Sequence, residues 1–202
     1  MGPAGETMRD DLNAYRDPLV FTSEQVREAV GRLAKAVAAW AGKSGSLNVV
    51  SVLEGAKPLT AGLQKRLRPG LECSIREVKV KATMGTTLSL ARKVTNPGWD
   101  PAVYRGARVL VVDDLLDSGE TISFLKMSLL GAGAAEVKAV VLVRKFKDSP
   151  GLADFVVIEM GLDRATLAKR GLKDLWLYGY GMDLDGQNRE LTEIRAKEIP
   201  LA

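Results

Sequence analysis

The sequence predicts an α/β domain: a mostly parallel, twisted sheet flanked by helices. Three observations predict it. The segments Leu47–Leu53, Val109–Val112 and Val137–Val143 are β-branched, largely apolar runs, as expected of strands buried on both faces. Helical patterns stand between these runs, so that strand and helix take turns along the chain. The 202 residues, 46% of them hydrophobic, suffice for one sizeable core and are too few for two comfortable domains.

The elements follow in order. Met1–Pro18 is a polar tail without the apolar block of a secretory signal, which leads to the expectation of a cytoplasmic protein whose single domain spans residues 19–202. Thr22-Ser23-Glu24-Gln25 then opens an amphipathic helix with apolar positions at Val26, Val30, Leu33, Val37 and Ala38. Thr22 is placed to cap it and Gln25 to reach back, and it ends near Gly42. Leu47–Leu53 reads as a strand, Glu54-Gly55-Ala56 as its turn and Leu59–Leu67 as the next helix. Lys79–Asp100, with Gly85, Thr86, Thr87, Asn96, Pro97 and Gly98, reads as a long polar loop that includes an extended hairpin, the kind of loop that covers active sites. A second strand, Val109–Val112, leads through an acidic loop, Asp113–Glu120, to a helix at Thr121–Leu130 that stops at Gly131 and Gly133. Strands at Val137–Val143 and Phe155–Met160 follow, then a basic, helix-prone stretch at Gly161–Lys173.

Composition excludes several functions. No apolar run approaches the roughly 20 residues that span a bilayer. The formal net charge of +4 comes from scattered rather than clustered basic residues, which argues against a nucleic-acid partner. Histidine is absent, so a histidine base, a Ser-His triad and imidazole metal sites are excluded. Cys73 is the lone cysteine and forms no internal disulfide. Acid-base chemistry therefore falls to carboxylates, Lys, Tyr or that cysteine.

The acidic loop combines two opposed chemistries. Ser118, Gly119, Glu120 and Thr121 can offer backbone N–H groups and two hydroxyls to an anion at a helix N-terminus, and Gly119 permits close approach. Asp113 and Asp114 set two carboxylates side by side, which suits sugar hydroxyls or a magnesium ion and repels phosphate. In an open α/β sheet such a loop, at a strand's carboxyl end, is where ligands bind.

This run of four apolar residues, two acids, two apolar residues and then Asp-Ser-Gly-x-Thr resembles the signature of the type I phosphoribosyltransferases for phosphoribosyl pyrophosphate (PRPP). Val49–Leu67 is similar to the pyrophosphate-loop strand and helix of the hypoxanthine-guanine branch. Leu175–Asp183, followed by Arg189, is similar to that branch's aromatic, glycine-tyrosine and aspartate segment. These anchors cover most of residues 20–195.

The resemblance implies the type I phosphoribosyltransferase fold, with a small hood subdomain around residues 161–202. It assigns the ribose hydroxyls to Asp113 and Asp114, the 5′-phosphate to Ser118–Thr121, and the general base to Asp117, which could instead be a helix cap that shapes the loop. It assigns pyrophosphate to Gly55, Ala56 and Arg189, a magnesium ion to Asp183, and stacking on the base to Trp176, unless that ring is simply core. Leu177 and either Arg144 or Lys145 are the expected contacts at the base's edge, and spacing leaves that choice open. Two departures stand out. Glu54 puts an acid where the family often has Lys-Gly-Gly, with Lys57 available to offset it, and the Ser-Tyr pair of the closing loop is missing, which leaves closure to Lys81 and the threonines. The implied activity is Mg²⁺-dependent transfer of ribose 5-phosphate from PRPP to a purine, chiefly a 6-oxopurine, with release of pyrophosphate, in a homo-oligomer. The alternatives are a PRPP-sensing regulator of nucleotide synthesis and a phosphoribosyltransferase for another nucleobase.

Overall fold

The computed structural model describes residues 6–7, 19–42, 45–67, 70–84, 90–149 and 151–201. Apart from Glu6 and Thr7, the polar tail lies outside the described residues, as do Gly85, Thr86 and Thr87. The chain begins with β1 (Glu6–Thr7), β2 (Leu19–Phe21), α1 (Ser23–Ala41), β3 (Ser46–Val52), α2 (Lys57–Leu67) and β4 (Glu72–Val78). It continues with β5 (Val80–Met84), β6 (Leu90–Val94), β7 (Arg108–Leu116), α3 (Glu120–Gly131), β8 (Glu136–Phe146) and β9 (Phe155–Leu162). It closes with α4 (Arg164–Lys169), β10 (Leu172–Tyr178) and β11 (Ile194–Pro200).

The main sheet runs β1-β9-β8-β7-β3-β4, and every neighbouring pair is parallel. Its centre is mostly apolar: Val50, Val109 to Val112 and Ala139 to Val143 are shielded from solvent, and the buried Ser51 shares a hydrogen bond with Thr60 (2.7 Å). Burial on both faces explains why these strands read as continuous apolar runs. Helix α1 starts as expected, because Thr22 Oγ1 accepts from Gln25 N (3.2 Å) and Gln25 Oε1 accepts from Thr22 N (2.8 Å). It packs on α2 and β9, burying Val26, Val30, Leu33 and Val37. None of the described helices is long and apolar enough to cross a membrane.

Several boundaries differ from expectation. Strand β7 runs on through Leu116, so the acidic loop shrinks to Asp117–Gly119, and Asp113 and Asp114 stand on the strand itself. The reason is the register with β8, where Asp113 faces Val141 and Leu116 faces Arg144, so ladder bonding outlasts the apolar run. For the same reason β8 extends to Phe146, and Arg144 and Lys145 lie within it rather than after it. The stretch at Gly161–Lys173 is only partly helical: its first residues complete β9, its last begin β10, and α4 between them has 6 residues. The Lys79–Asp100 loop contains the antiparallel hairpin β5–β6.

Two features were not expected. Strand β4 pairs with β3 along its whole length, yet Glu72, Arg76 and Glu77 hide it in the sequence. A separate antiparallel sheet, β10-β11-β2, takes its third strand from Leu19–Phe21, at the other end of the domain.

Candidate functional site

Strand order places the site. The chain passes from β3 outward to β4, then returns to β7 on the other side of β3, so β3 and β7 flank the topological switch point of the sheet. Ligands of open parallel sheets bind outside the carboxyl ends of the strands at such a point. The loop after β3 (Leu53–Ala56) and the end of β7 meet there. A Cβ on Gly55 would lie 1.6 Å from Asp114 Oδ2, so only glycine lets this carboxylate rest on the loop. A third segment closes on the same spot: Gly181, at φ +101°, would place a Cβ 2.1 Å from Gly55 O. The Leu53–Glu54 peptide is cis.

The electrostatics of this junction are strongly arranged. Glu54 receives Lys57 (2.7 Å) and Lys79 (3.2 Å), and these two cations hold its carboxyl below the usual range. The negative charge that stood out in the sequence is thus offset twice over. Asp113 is buried and accepts from Asp114 N (3.0 Å); burial, then the charge of Asp114, pushes its carboxyl well above the ordinary carboxylate range. Ala56 N–H donates to Val52 O (3.2 Å), so of the predicted pair Gly55 is the one whose N–H stands outside the loop's own hydrogen bonds.

Beyond β7 an open cleft of about 270 Å³ is lined by Asp114, Asp117, Lys145, Leu175, Trp176 and Asp183, among others. Alternation along β8 sends its two cations to opposite faces. Arg144 turns to β9 and pairs with Glu159 (2.7 Å and 2.6 Å). Lys145, 3% exposed, turns into the cleft, where Nζ meets Asp174 (2.9 Å) and Leu175 O (3.3 Å). Asp117 Oδ2 lies 4.0 Å from the same nitrogen, and Asp117 Oδ1 accepts from Arg164 (3.2 Å). Trp176 is half exposed at the rim, held by a bond from its indole N–H to Asp183 O (2.7 Å).

The far lip is the β10–β11 connection. Asp183 accepts from Arg189 Nη2 (2.5 Å) and from Gly186 N (2.8 Å), while Arg189 Nη1 donates to Gly181 O (2.7 Å). On the other side of Asp117, Gly119 adopts φ +74° as the N-cap of α3, and Ser118 Oγ accepts from Glu120 N (3.4 Å). A second opening of about 380 Å³ lies there, with Arg92, Ser118, Gly119 and Glu120 in its wall.

The structure therefore brings together Gly55, Asp113, Asp114, Asp117, Lys145, Trp176, Leu177 and Asp183, with Arg189 tied to Asp183 and Ser118–Thr121 following Asp117. Ala56 adjoins Gly55 but is buried with its N–H bonded to Val52 O, and two further predicted residues lie outside. Arg144 belongs to a sheet-surface ion pair, and Lys81 lines neither opening. Lys81 pairs with Lys93 across the hairpin and Arg92 with Ala82, so Lys81 and Arg92 stand on opposite faces of that ribbon. Asp174, Arg164, Arg92 and Lys79 were missed, because each acts through a partner distant in sequence and lies in no motif.

Residues 22–155 match the family model described as the phosphoribosyl transferase domain. A hypoxanthine-guanine phosphoribosyltransferase from Bacillus subtilis is 29% identical over 147 residues, covering 72% of this chain and 73% of that protein. The bifunctional protein TilS/HprT from Listeria innocua is 29% identical over 189 residues; the match covers 94% of this chain but only 26% of that longer protein. The chain thus spans about a quarter of the length of that relative. Among solved structures, hypoxanthine phosphoribosyltransferase from Trypanosoma cruzi, in complex with the product IMP, superposes with a TM-score of 0.71 at 26% identity, covering 88% of this chain and 92% of that one.

Proposed function

The chain belongs to the phosphoribosyltransferase family, and on that premise we propose that it transfers ribose 5-phosphate from PRPP to a nitrogen of a 6-oxopurine, releasing pyrophosphate. The observation that carries the choice of base is Lys145. An ammonium has three donors and no acceptor. At rest Nζ meets both carboxylate oxygens of Asp174 (2.9 Å and 3.1 Å) and Leu175 O (3.3 Å) at the wall of the cleft, and a donor shared between the two Asp174 oxygens can turn to a ligand there. A 6-oxo group accepts from it, whereas a 6-amino group would set donor against donor.

Placement supports a role for each residue. Asp113 and Asp114, at the carboxyl end of β7, take the ribose hydroxyls, and Ser118–Thr121 at the start of α3 take the 5′-phosphate. The base lies against the Trp176 ring with its edge toward Lys145 and the backbone of Leu177. In the reaction the bond from C1′ to the pyrophosphate oxygen breaks as the bond from C1′ to the base nitrogen forms. The positive charge at C1′ peaks between the two events. Asp117, 4.0 Å from Lys145, is the carboxylate beside the base and receives its proton. Gly55 and Arg189 steady the departing pyrophosphate, and closure of the cleft keeps water from C1′.

Mg²⁺ belongs to the same proposal. Asp183 keeps lone pairs beyond those used by Arg189 and Gly186, and magnesium favours few protein carboxylates with waters and phosphate oxygens completing the shell. When bound, the ion would neutralise pyrophosphate charge. A homo-oligomer is proposed too, with sedimentation velocity as the check.

The deciding experiment measures pyrophosphate release with PRPP, Mg²⁺ and a panel of hypoxanthine, guanine, adenine and orotate. Release with the 6-oxopurines and little with adenine is expected. Release with adenine or orotate alone overturns the choice of base, and PRPP binding without release from any base points to a PRPP sensor.

A further inference from the structure

Helix α3 opens with an acid in the middle of an anion-binding loop. Glu120 occupies the variable position of Asp-Ser-Gly-x-Thr, so its carboxylate brings negative charge to the side of the phosphate subsite. An acid in a helix's first turn is already favoured by the helix dipole and needs no cation. Glu120 nevertheless has one. Arg92 Nη2, on β6, pairs with its carboxylate, and β6 packs on α3.

The guanidinium is only partly used by that pair. It offers five N–H donors in a planar fork suited to two oxygens of one anion. Glu120 takes one donor, and Arg92 Nε is buried with no hydrogen-bond partner among the described residues. A buried donor of this kind calls for an acceptor. An opening of about 380 Å³ beside the Arg92 side chain is lined by Arg92 together with Ser118, Gly119 and Ser123. A donor-rich cation, hydroxyls and a glycine in the αL conformation at a helix N-terminus therefore share one opening with the acid that disfavours an anion there.

We propose that Arg92 is a ligand of the 5′-phosphate of PRPP, and that Glu120 is its resting partner, exchanged for the phosphate when the sugar binds. The inference rests on the PRPP reading above. Phosphate is the stronger partner because it carries more charge and accepts from both edges of the fork. The Glu120 carboxylate then competes for Arg92 while the Glu120 N–H stays with the phosphate-binding loop, so the side chains of the two residues should affect affinity in opposite directions.

Calorimetric titration with ribose 5-phosphate, which lacks the pyrophosphate, reads this subsite alone, and PRPP with Mg²⁺ serves as the parallel titrant. Arg92→Gln should weaken ribose 5-phosphate about tenfold or more, the scale of a lost charge-assisted contact. Arg92→Lys should recover part of the loss, and Glu120→Gln should bind more tightly than the natural protein. A melting scan of each variant separates lost binding from lost folding, and Glu120→Gln keeps the test decisive if Arg92→Gln does not fold. Unchanged affinity in a folded Arg92→Gln variant overturns the inference while leaving the PRPP reading intact. Weaker binding in Glu120→Gln also overturns it. If the natural protein binds neither titrant, the PRPP reading and the inference fall together.

Discussion

Asp113 and Asp117 lie four residues apart in opposite settings, one inside the protein and the other at its surface. Asp113 sits within the β7 ladder, 6% exposed, beside a second acid. Its carboxyl is held above the ordinary range first by burial and then by Asp114. The folded state therefore keeps a proton that the unfolded chain releases near pH ~4. Stability from this group is fullest below that value and declines as the pH rises toward its folded pKa. Asp113→Asn keeps the acceptor for Asp114 N and removes the ionisable proton. Its melting temperature should gain on that of the natural protein as the pH climbs from about 4 to about 8; parallel curves across that range would show that Asp113 titrates alike in both states. Asp117 is reached by Arg164 and faces the cleft. Asp117→Asn keeps the shape but not the proton acceptor, so turnover should fall about a hundredfold or more with PRPP affinity little changed. Turnover within a few fold of the natural protein would make Asp117 a shaping residue of the loop.

Elements differ in how plainly the sequence announces them. Helix α1 is written twice, in its apolar spacing and in the Thr22/Gln25 capping box, and both appear in the structure. Thr22→Ala leaves the first-turn N–H groups without that acceptor and should cost about 1 kcal/mol, seen as a fall in melting temperature of roughly 2–4 °C; no fall would mean that packing on α2 and β9 alone sets the helix start. The central strands are legible because burial on both faces leaves only apolar residues. Strands with one face to solvent are not: β4, at the edge of the main sheet, carries Glu72, Arg76 and Glu77, and β11, in the middle of the small sheet, carries Arg195, Lys197 and Glu198. Strand ends are lost for a related reason. Asp113, Asp114, Arg144 and Lys145 read as loop residues, yet parallel pairing carries β7 and β8 past the apolar run. Once β8 is known to reach Phe146, side-chain alternation alone sends Arg144 and Lys145 to opposite faces. The partners Asp174 and Arg164 stay invisible in the sequence because their meaning lies in another element.

At the scale of the whole molecule, the cleft has the end of the main sheet on one side and the β10-β11-β2 sheet on the other. Asp114, Asp117 and Lys145 come from the first, with the start of α3 lining the neighbouring opening, and Trp176, Leu177 and the following Asp183 come from the second. Ribose 5-phosphate should engage only the first wall, whereas a 6-oxopurine nucleoside monophosphate should span both. Ligand that binds the native state alone stabilises it by about 2.7 kcal/mol at a hundredfold excess over Kd. In a chain of this length that corresponds to roughly 5–10 °C in melting temperature. At equal concentration the nucleotide, with more contacts, should bind more tightly and give the larger shift. Trp176→Ala should remove most of that excess and leave the ribose 5-phosphate shift unchanged, because the lost stacking face belongs to the second wall. Equal shifts from the two ligands in the natural protein would mean that the base lies elsewhere. A Trp176→Ala variant that loses both shifts would mean that the indole, through its bond to Asp183 O, holds the cleft together rather than binding the base.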